Sequence, residues 1–301
     1  MKDFLVGIIQ QSLIFSIAVM GIYISYKILN FADLSADGSF TLGASVSAIL
    51  ITKGFNPFTS LAFSMLAGAL AGAMTGVLNV KLKIQDILSS ILVMVGLYSI
   101  NLRIMGKANL PLFNQSSIFT DGNILFTIFI FTFISGLFFT LFFKTKLGYL
   151  LRGIGDNENM IISLGINTGS IKIFALALSN AFIALSGGIL AQYQGFSDIN
   201  MGTGIMIMGL ASIIIGFNLF GKMGLSNSSI LCIFGTIIYR TSIALSLRIG
   251  FNPSDLKLIS SIIVIIALTI GNGRGIFKNW VSRKEKVKYP SQLEKVGSEH
   301  A

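Results

Sequence analysis

Twelve acidic residues, one histidine and one cysteine are the whole supply of acid, base, nucleophile and soft metal ligand in this 301-residue chain. They assemble no catalytic or metal-binding pattern. His300 stands alone in the tail, and Cys232 lies inside an apolar run, which excludes disulfides and thiolate metal sites. Asp33 and Asp37 stand at the start of one apolar run and Asp198 ahead of another. Carboxylates there can hold the freed backbone N–H groups of interrupted helices. Arg240, in GTIIYRTSIALSLR, is a basic residue within a run. A desolvated guanidinium there would receive a substrate carboxylate in bidentate fashion; the plainer role is to snorkel outward or bond neighbouring carbonyls. GFNLFGK, from Gly216 to Lys222, imitates a phosphate loop, but Met223 stands where Ser or Thr would bind Mg²⁺, and the string ends an apolar run instead of following a soluble strand. No catalytic residue, nucleotide site or cofactor is expected in this chain.

The polar, glycine-punctuated stretch KTKLGYLLRGIGDNENMIISLGINTGSIK, from Lys144 to Lys172, is set between apolar runs. Asp156 or Asn157 can cap a helix there, with Glu158 in the first turn, where the helix dipole favours a carboxylate. Met160, Ile161, Ile162 and Leu164 follow, and Gly165 is placed to end the helix. The pattern predicts a short amphipathic helix at a membrane surface, suited to docking; an ordinary connecting loop is the alternative.

These residues must be positioned by elements that live in lipid. With 53% hydrophobic and 11% charged residues, the chain departs from soluble domains, whose charged fraction is about 25%. Apolar runs of about 20 residues, the length that crosses roughly 30 Å of hydrocarbon as helix, predict an all-α polytopic membrane protein. The nine spans fall near 4–28, 33–52, 57–80, 86–104, 123–143, 172–194, 203–220, 227–246 and 255–271. The first is read as retained, since it lacks a basic leader region and a small-residue cleavage site. Every acidic side chain falls in a loop, a tail or near a span end, so none is expected at the bilayer midplane. That argues against proton coupling or intramembrane proteolysis. Gly68, Gly72 and Gly76 recur every four residues and give one helix a flat packing face.

Most of the 22 basic residues, including Lys27, Lys81, Lys144, Arg152, Lys172, Lys222 and the tail from Arg274 to Lys295, fall on one side of this topology. The positive-inside rule then places the N-terminus outside and the C-terminus in the cytoplasm. The basic tail is accounted for by anionic lipid, and no nucleic-acid partner is expected. An internal repeat relates FADLSADGSFTLGAS, from Phe31, to FSDINMGTGIMIMGLAS, from Phe196, and LSSILVMV, from Leu88, to ISSIIVII, from Ile259. The first pair runs in opposite directions through the bilayer, as an inverted-topology repeat requires. The organisation is therefore a transmembrane domain over 1–271, with halves of about 1–122 and 172–271 around a loop at 144–172, and a basic tail at 272–301.

Several strings carry a family resemblance. T-x-L-G from Thr145, R-x-x-G-x-N from Arg152 and L-G-I-N from Leu164 resemble the cytoplasmic coupling loop of the permease subunits of ABC importers, in the branched-chain amino acid and ribose superfamily. NFADLSADGSFTLGA from Asn30, LYSINLRIMGKANLPL from Leu97, and YR followed by PSDLKLIS are similar to a subgroup linked to uptake of tryptophan or tyrosine. Asp33 and Asp37 depart from the shorter motif of branched-chain permeases. The resemblance implies two inverted halves and a dimer of permeases. It implies a separate ATPase that binds ATP and Mg²⁺ and contacts Asp156, Asn157, Glu158, Ile161, Ile162, Leu164 and Gly165. It also implies an extracellular substrate-binding lipoprotein, and residence in the bacterial cytoplasmic membrane. Asp33, Asp37, Asp198 and Arg240 are the candidates for the translocation path. An ion-coupled secondary carrier is the alternative function, and a membrane-embedded enzyme the third.

Overall fold

A computed structural model describes residues 2–113, 115–120, 122–220 and 227–250, together with 255, 258, 259, 261–263 and 265. The predicted ninth span, the basic tail, Lys222 and Asp121 lie largely or wholly outside the described residues.

The chain runs through α1 (Lys2–Ile22), a π-helical segment (Tyr23–Ile28), α2 (Ser35–Thr52), α3 (Pro57–Val80), α4 (Asp86–Met105), β1 (Asn109–Pro111), α5 (Ile124–Phe142), α6 (Lys146–Ser163), α7 (Thr168–Gln194), β2 (Phe196–Asp198), α8 (Ile205–Phe220) and α9 (Ser228–Ile249). Local chemistry sets many of the ends. Asn56 accepts a hydrogen bond from Phe58 N, with Pro57 opening α3, and Asn123, Thr145 and Asn167 cap α5, α6 and α7 in the same way. Gly106 and Gly195, with left-handed backbone, close α4 and α7.

α7 is the axis of the bundle, packed against α1, α2 and α3. Gly68, Gly72 and Gly76 of α3 face Asn180, Leu176 and Ile173 of α7 so closely that an added Cβ would overlap its backbone. Gly43 and Gly187 do the same where α2 crosses α7. With little hydrophobic driving force between helices in lipid, this close approach supplies the dispersion contacts that hold them together.

Six described helices, those built on α1, α3, α4, α5, α7 and α9, are long and apolar enough to cross a membrane. Of the helices predicted as spans, α2 and α8 are the described exceptions. α2 carries SADGS in its first turns and is nearly all buried, so it needs no lipid-compatible surface. α5, by contrast, exposes Phe126, Phe133 and Leu137.

In an otherwise helical chain, two three-residue strands, β1 and β2, pair antiparallel with Leu110 opposite Ser197. They tie the loop after α4 to the loop after α7 on one side of the molecule. The Tyr193 hydroxyl donates to Gln10 Oε1, which brings the first turns of α1 to that same side. α6 lies on the opposite side, where Asn30 Nδ2 donates to Gly155 O at 2.8 Å.

Candidate functional site

Asp33 is 0% exposed. Its Oδ1 accepts from Ser35 N at 3.0 Å and from the Ser35 hydroxyl, and its Oδ2 accepts from Asn180 Nδ2 at 2.7 Å. Asn180 lies near the midpoint of α7, so the carboxyl group sits deep in the bundle. Thr75 Oγ1 donates to Ser35 Oγ, which extends the network to α3. Asp33 is therefore enclosed by α2, α3 and α7 although it stands ahead of the first turn of its helix. The segment between Ile28 and Ser35 turns back into the interior, and sequence distance from a span end does not measure depth.

Asp37, in the first turn of α2, acts on another helix. Its Oδ2 accepts from Gly204 N at 2.8 Å and its Oδ1 from Met206 N at 2.9 Å, satisfying amides that α8 leaves free at its start. Thr41 Oγ1 accepts from Gly202 N, so one face of α2 holds the whole entry turn of α8. Cavities flank this turn and share Thr203. One, of about 300 Å³, is lined by Asp37, Thr41, Tyr98, Asn101 and Asn200 among others. The other, of about 460 Å³, is lined by residues that include Phe15, Met201, Gly204, Ile205 and Arg240.

The Arg240 guanidinium lies over the Phe15 ring, 3.7 Å from its centroid, and Phe15 in turn stacks on Phe40 with 4° between the planes. Arg240 Nε has no hydrogen-bond partner among the described residues. Asp198 stays at the strand end, where Oδ1 accepts from Asn200 N and Oδ2 from Asn109 Nδ2. It takes no part in either cavity.

On the opposite side, α6 contains one non-helical residue, Asn157, at φ −157° and ψ 94°. Asn157 Oδ1 accepts from Met160 N and so caps the second part of the helix, which ends at Gly165 with φ +75°. The first part, from Lys146, is helical as well, because Thr145 supplies its own cap. Glu158 accepts 2.6 Å from Lys172 Nζ and 2.9 Å from Thr168 Oγ1. Burial raises the cost of its charge, but these donors and the lysine's charge outweigh that and hold its carboxyl below the usual glutamate range. Ile161 is 6% exposed and packs into the chain's own core, whereas Met160, Ile162 and Leu164 are 62%, 51% and 64% exposed.

Residues 4–269 match the family model described as "Branched-chain amino acid transport system / permease component". The chain belongs to this permease family. The permease is 49% identical over 270 residues to the tyrosine transport system permease protein of Clostridioides difficile (strain R20291), covering 89% of this chain and 91% of that one. It is 27% identical over 255 residues to the galactofuranose transporter permease protein of Escherichia coli (strain K12), covering 81% and 72%. In fold it resembles the solved structure described as PsaBC from Streptococcus pneumoniae in complex with Fab, with a TM-score of 0.53 and 14% identity over 86% of this chain and 89% of that one.

Within the permease, Asp33 and Asp37 fall on adjoining parts of one interior region and Arg240 on the far side of the α8 entry turn, while Asp198 stands apart. Of the predicted docking set, Ile161 packs into the chain's own core, and Glu158, one turn earlier and partly exposed, is paired with Lys172 and Thr168 of α7. Ile162 and Leu164 remain outward, joined by Met160. Sequence reasoning missed Asn180 and Gln192, whose Nε2 donates to Ser47 and Ser60 and whose Oε1 accepts from Ile118 N. An amide inside an apolar run was the available signal, since buried polar groups need partners. It also missed Phe15, an unremarked aromatic in a run full of them.

Proposed function

We propose that this permease is the transmembrane subunit of an ATP-driven ABC importer that moves an amino acid of the aromatic class inward. The observation that carries the reading is the family match over 4–269, together with 49% identity to a protein named for tyrosine transport. The non-catalytic role is supported by the family, whose members are described as permease components, and by the sequence at Gly216–Lys222, where Met223 replaces the Ser or Thr a phosphate loop needs. A separate ATPase supplies the energy and holds ATP and Mg²⁺. An extracellular binding lipoprotein supplies the substrate, and a second permease copy completes the membrane unit.

The architecture is nine membrane spans in two inverted halves, of which the last, expected near 255–271, lies largely outside the described residues. Packing supports the symmetry. α1 lies against α8 and α9, and α7 lies against α2 and α3, so the first helix of each half packs on the second and third of the other. The side that bears α6 is cytoplasmic, because Lys144, Lys146, Arg152 and Lys172 gather there, and the β1–β2 side is external. The exposed Met160, Ile162 and Leu164 are the face that enters the ATPase.

Reconstitution of the complete complex with Ile162→Glu tests this. An unpaired charge in a docked apolar face costs several kcal/mol, so the variant loses ATP-driven uptake and co-purification with the ATPase while still binding the loaded receptor. Wild-type coupling and assembly would sink the reading, as would ATP hydrolysis by the purified permease alone that Lys222→Ala abolishes. The alternative, an ion-coupled carrier, draws on the depth of Asp33; it requires gradient-driven uptake without the ATPase.

A further inference from the structure

We infer that the cavity between α1, α8 and α9 is a carboxylate-binding site on the route through the permease, with Arg240 as its anion receptor. The inference rests on the permease reading and deepens it by naming the substrate chemistry. Three observations meet there. The cavity, about 460 Å³, has the size of a site for a small organic solute. Its walls are mostly apolar, from Phe15, Met201, Ile205, Met208 and Ile243, with Arg240 as the charged group. The guanidinium lies over the face of Phe15, 3.7 Å from the ring centroid, and its Nε is buried without a hydrogen-bond acceptor among the described residues.

Stacking fixes the plane of a guanidinium and leaves its N–H edge free for a planar, two-oxygen acceptor, which a lysine cannot match. A merely snorkelling arginine would extend toward water; this one is held against a ring in the middle of α1, itself stacked on Phe40. Among the described residues no carboxylate pairs with it. Asp37, across the α8 entry turn, already has both oxygens on backbone amides of α8. The lining therefore offers a cation to a carboxylate and an apolar wall to a hydrophobic or aromatic body. Among the described lining residues none is anionic, so none of them pairs with an ammonium group. The ligand class that follows is an aromatic carboxylate, recognised by its acid and its ring and not by its amino group.

The test uses the complete chain in lipid nanodiscs and ligand-observed NMR with fluorinated forms of three probes: tyrosine, 3-(4-hydroxyphenyl)propionate and tyramine. Tyrosine and the propionate bind within a few-fold of each other and compete; tyramine, which lacks the carboxylate, does not compete. Arg240→Gln weakens both acids at least tenfold, and Arg240→Lys, which keeps charge without the stacked fork, falls between. If tyramine competes as well as tyrosine, or if neither acid binds at millimolar concentration, the site is overturned without reference to any variant. Arg240→Gln that folds with the wild-type unfolding midpoint and binds the acids normally overturns it as well. Uptake by the reconstituted complex separates the two levels. Normal ATP-driven uptake with Arg240→Gln removes this site from the route and leaves the permease reading intact. Failure of the wild-type complex to transport, with the acids still bound at Arg240, overturns the permease reading instead.

Discussion

At the scale of single residues, carboxylates in this protein work as acceptors for backbone and side-chain donors more than as charges. Asp37 holds the Gly204 and Met206 amides of a helix other than its own. Asp37→Ala leaves both without that acceptor, at roughly 1–3 kcal/mol each, whereas Asp37→Asn keeps one acceptor oxygen. The expected order of thermal midpoint and uptake is therefore wild type, then Asn, then Ala. A new pH dependence of uptake in Asp37→Asn, with assembly intact, would replace this structural role with proton transfer. Glu158 behaves differently because it is partly exposed and paired with Lys172. Its carboxyl titrates below the ordinary range, so the anchor it gives to α6 is fully present above the unfolded glutamate value and is lost as pH falls through the lower folded one. The protection of the amides of residues 156–165, taken relative to the intrinsic exchange rate at each pH, should then hold steady from pH 8 to 5 and fall only below about pH 4. Glu158→Gln should show raised exchange already at pH 7.

At the scale of elements, glycine decides how near α3 and α2 come to α7. Gly72 is the sharpest case, since a methyl group there would strike the Leu176 carbonyl and backbone cannot move aside as a flexible side chain can. Gly72→Ala should lower the yield of folded protein and its thermal midpoint. Gly96→Ala, where an added Cβ meets nothing within 4 Å, is the matched control and should leave both unchanged. Equal behaviour of the two variants would show that the α3–α7 contact is loose. The second consequence of this packing concerns α2. Largely buried, it carries Asp37, Thr41, Ser45 and Ser47 at positions that need little lipid-compatible surface.

At the scale of the whole molecule, the two sides are chemically distinct. One presents the α6 surface with Met160, Ile162 and Leu164; the other presents the β1–β2 ribbon and the approach to the cavities. Cys232 is buried, so the native thiol is a quiet background for labelling. Cysteine placed at Tyr149, on exposed α6, should react with a membrane-impermeant maleimide only in inside-out vesicles. Cysteine at Asn109, exposed on β1, should react only in intact cells. The reverse pattern would invert the topology and, with it, the side on which an ATPase could dock.

The amino-acid sequence alone determined the membrane class and most of the helices, because the length and hydropathy of an apolar run are local properties set by the thickness of the bilayer. Pro57–Val80 was legible to the residue, and Asn157 as a cap and Gly165 as a stop were legible because capping is local chemistry. Only the tertiary structure decided depth and direction. Asp33 reads as a residue at a span boundary, yet the chain folds back so that it meets Asn180 near the midpoint of α7. That Ile161 packs into the core and Glu158 pairs with Lys172 of α7 was not legible, because which side of an amphipathic helix is covered depends on what packs against it. Arg240 was visible as an unusual charge; that it rests on Phe15 and faces a cavity depends on bringing α1 beside α9, two segments far apart in the chain. Such long-range pairings leave no periodicity in the sequence.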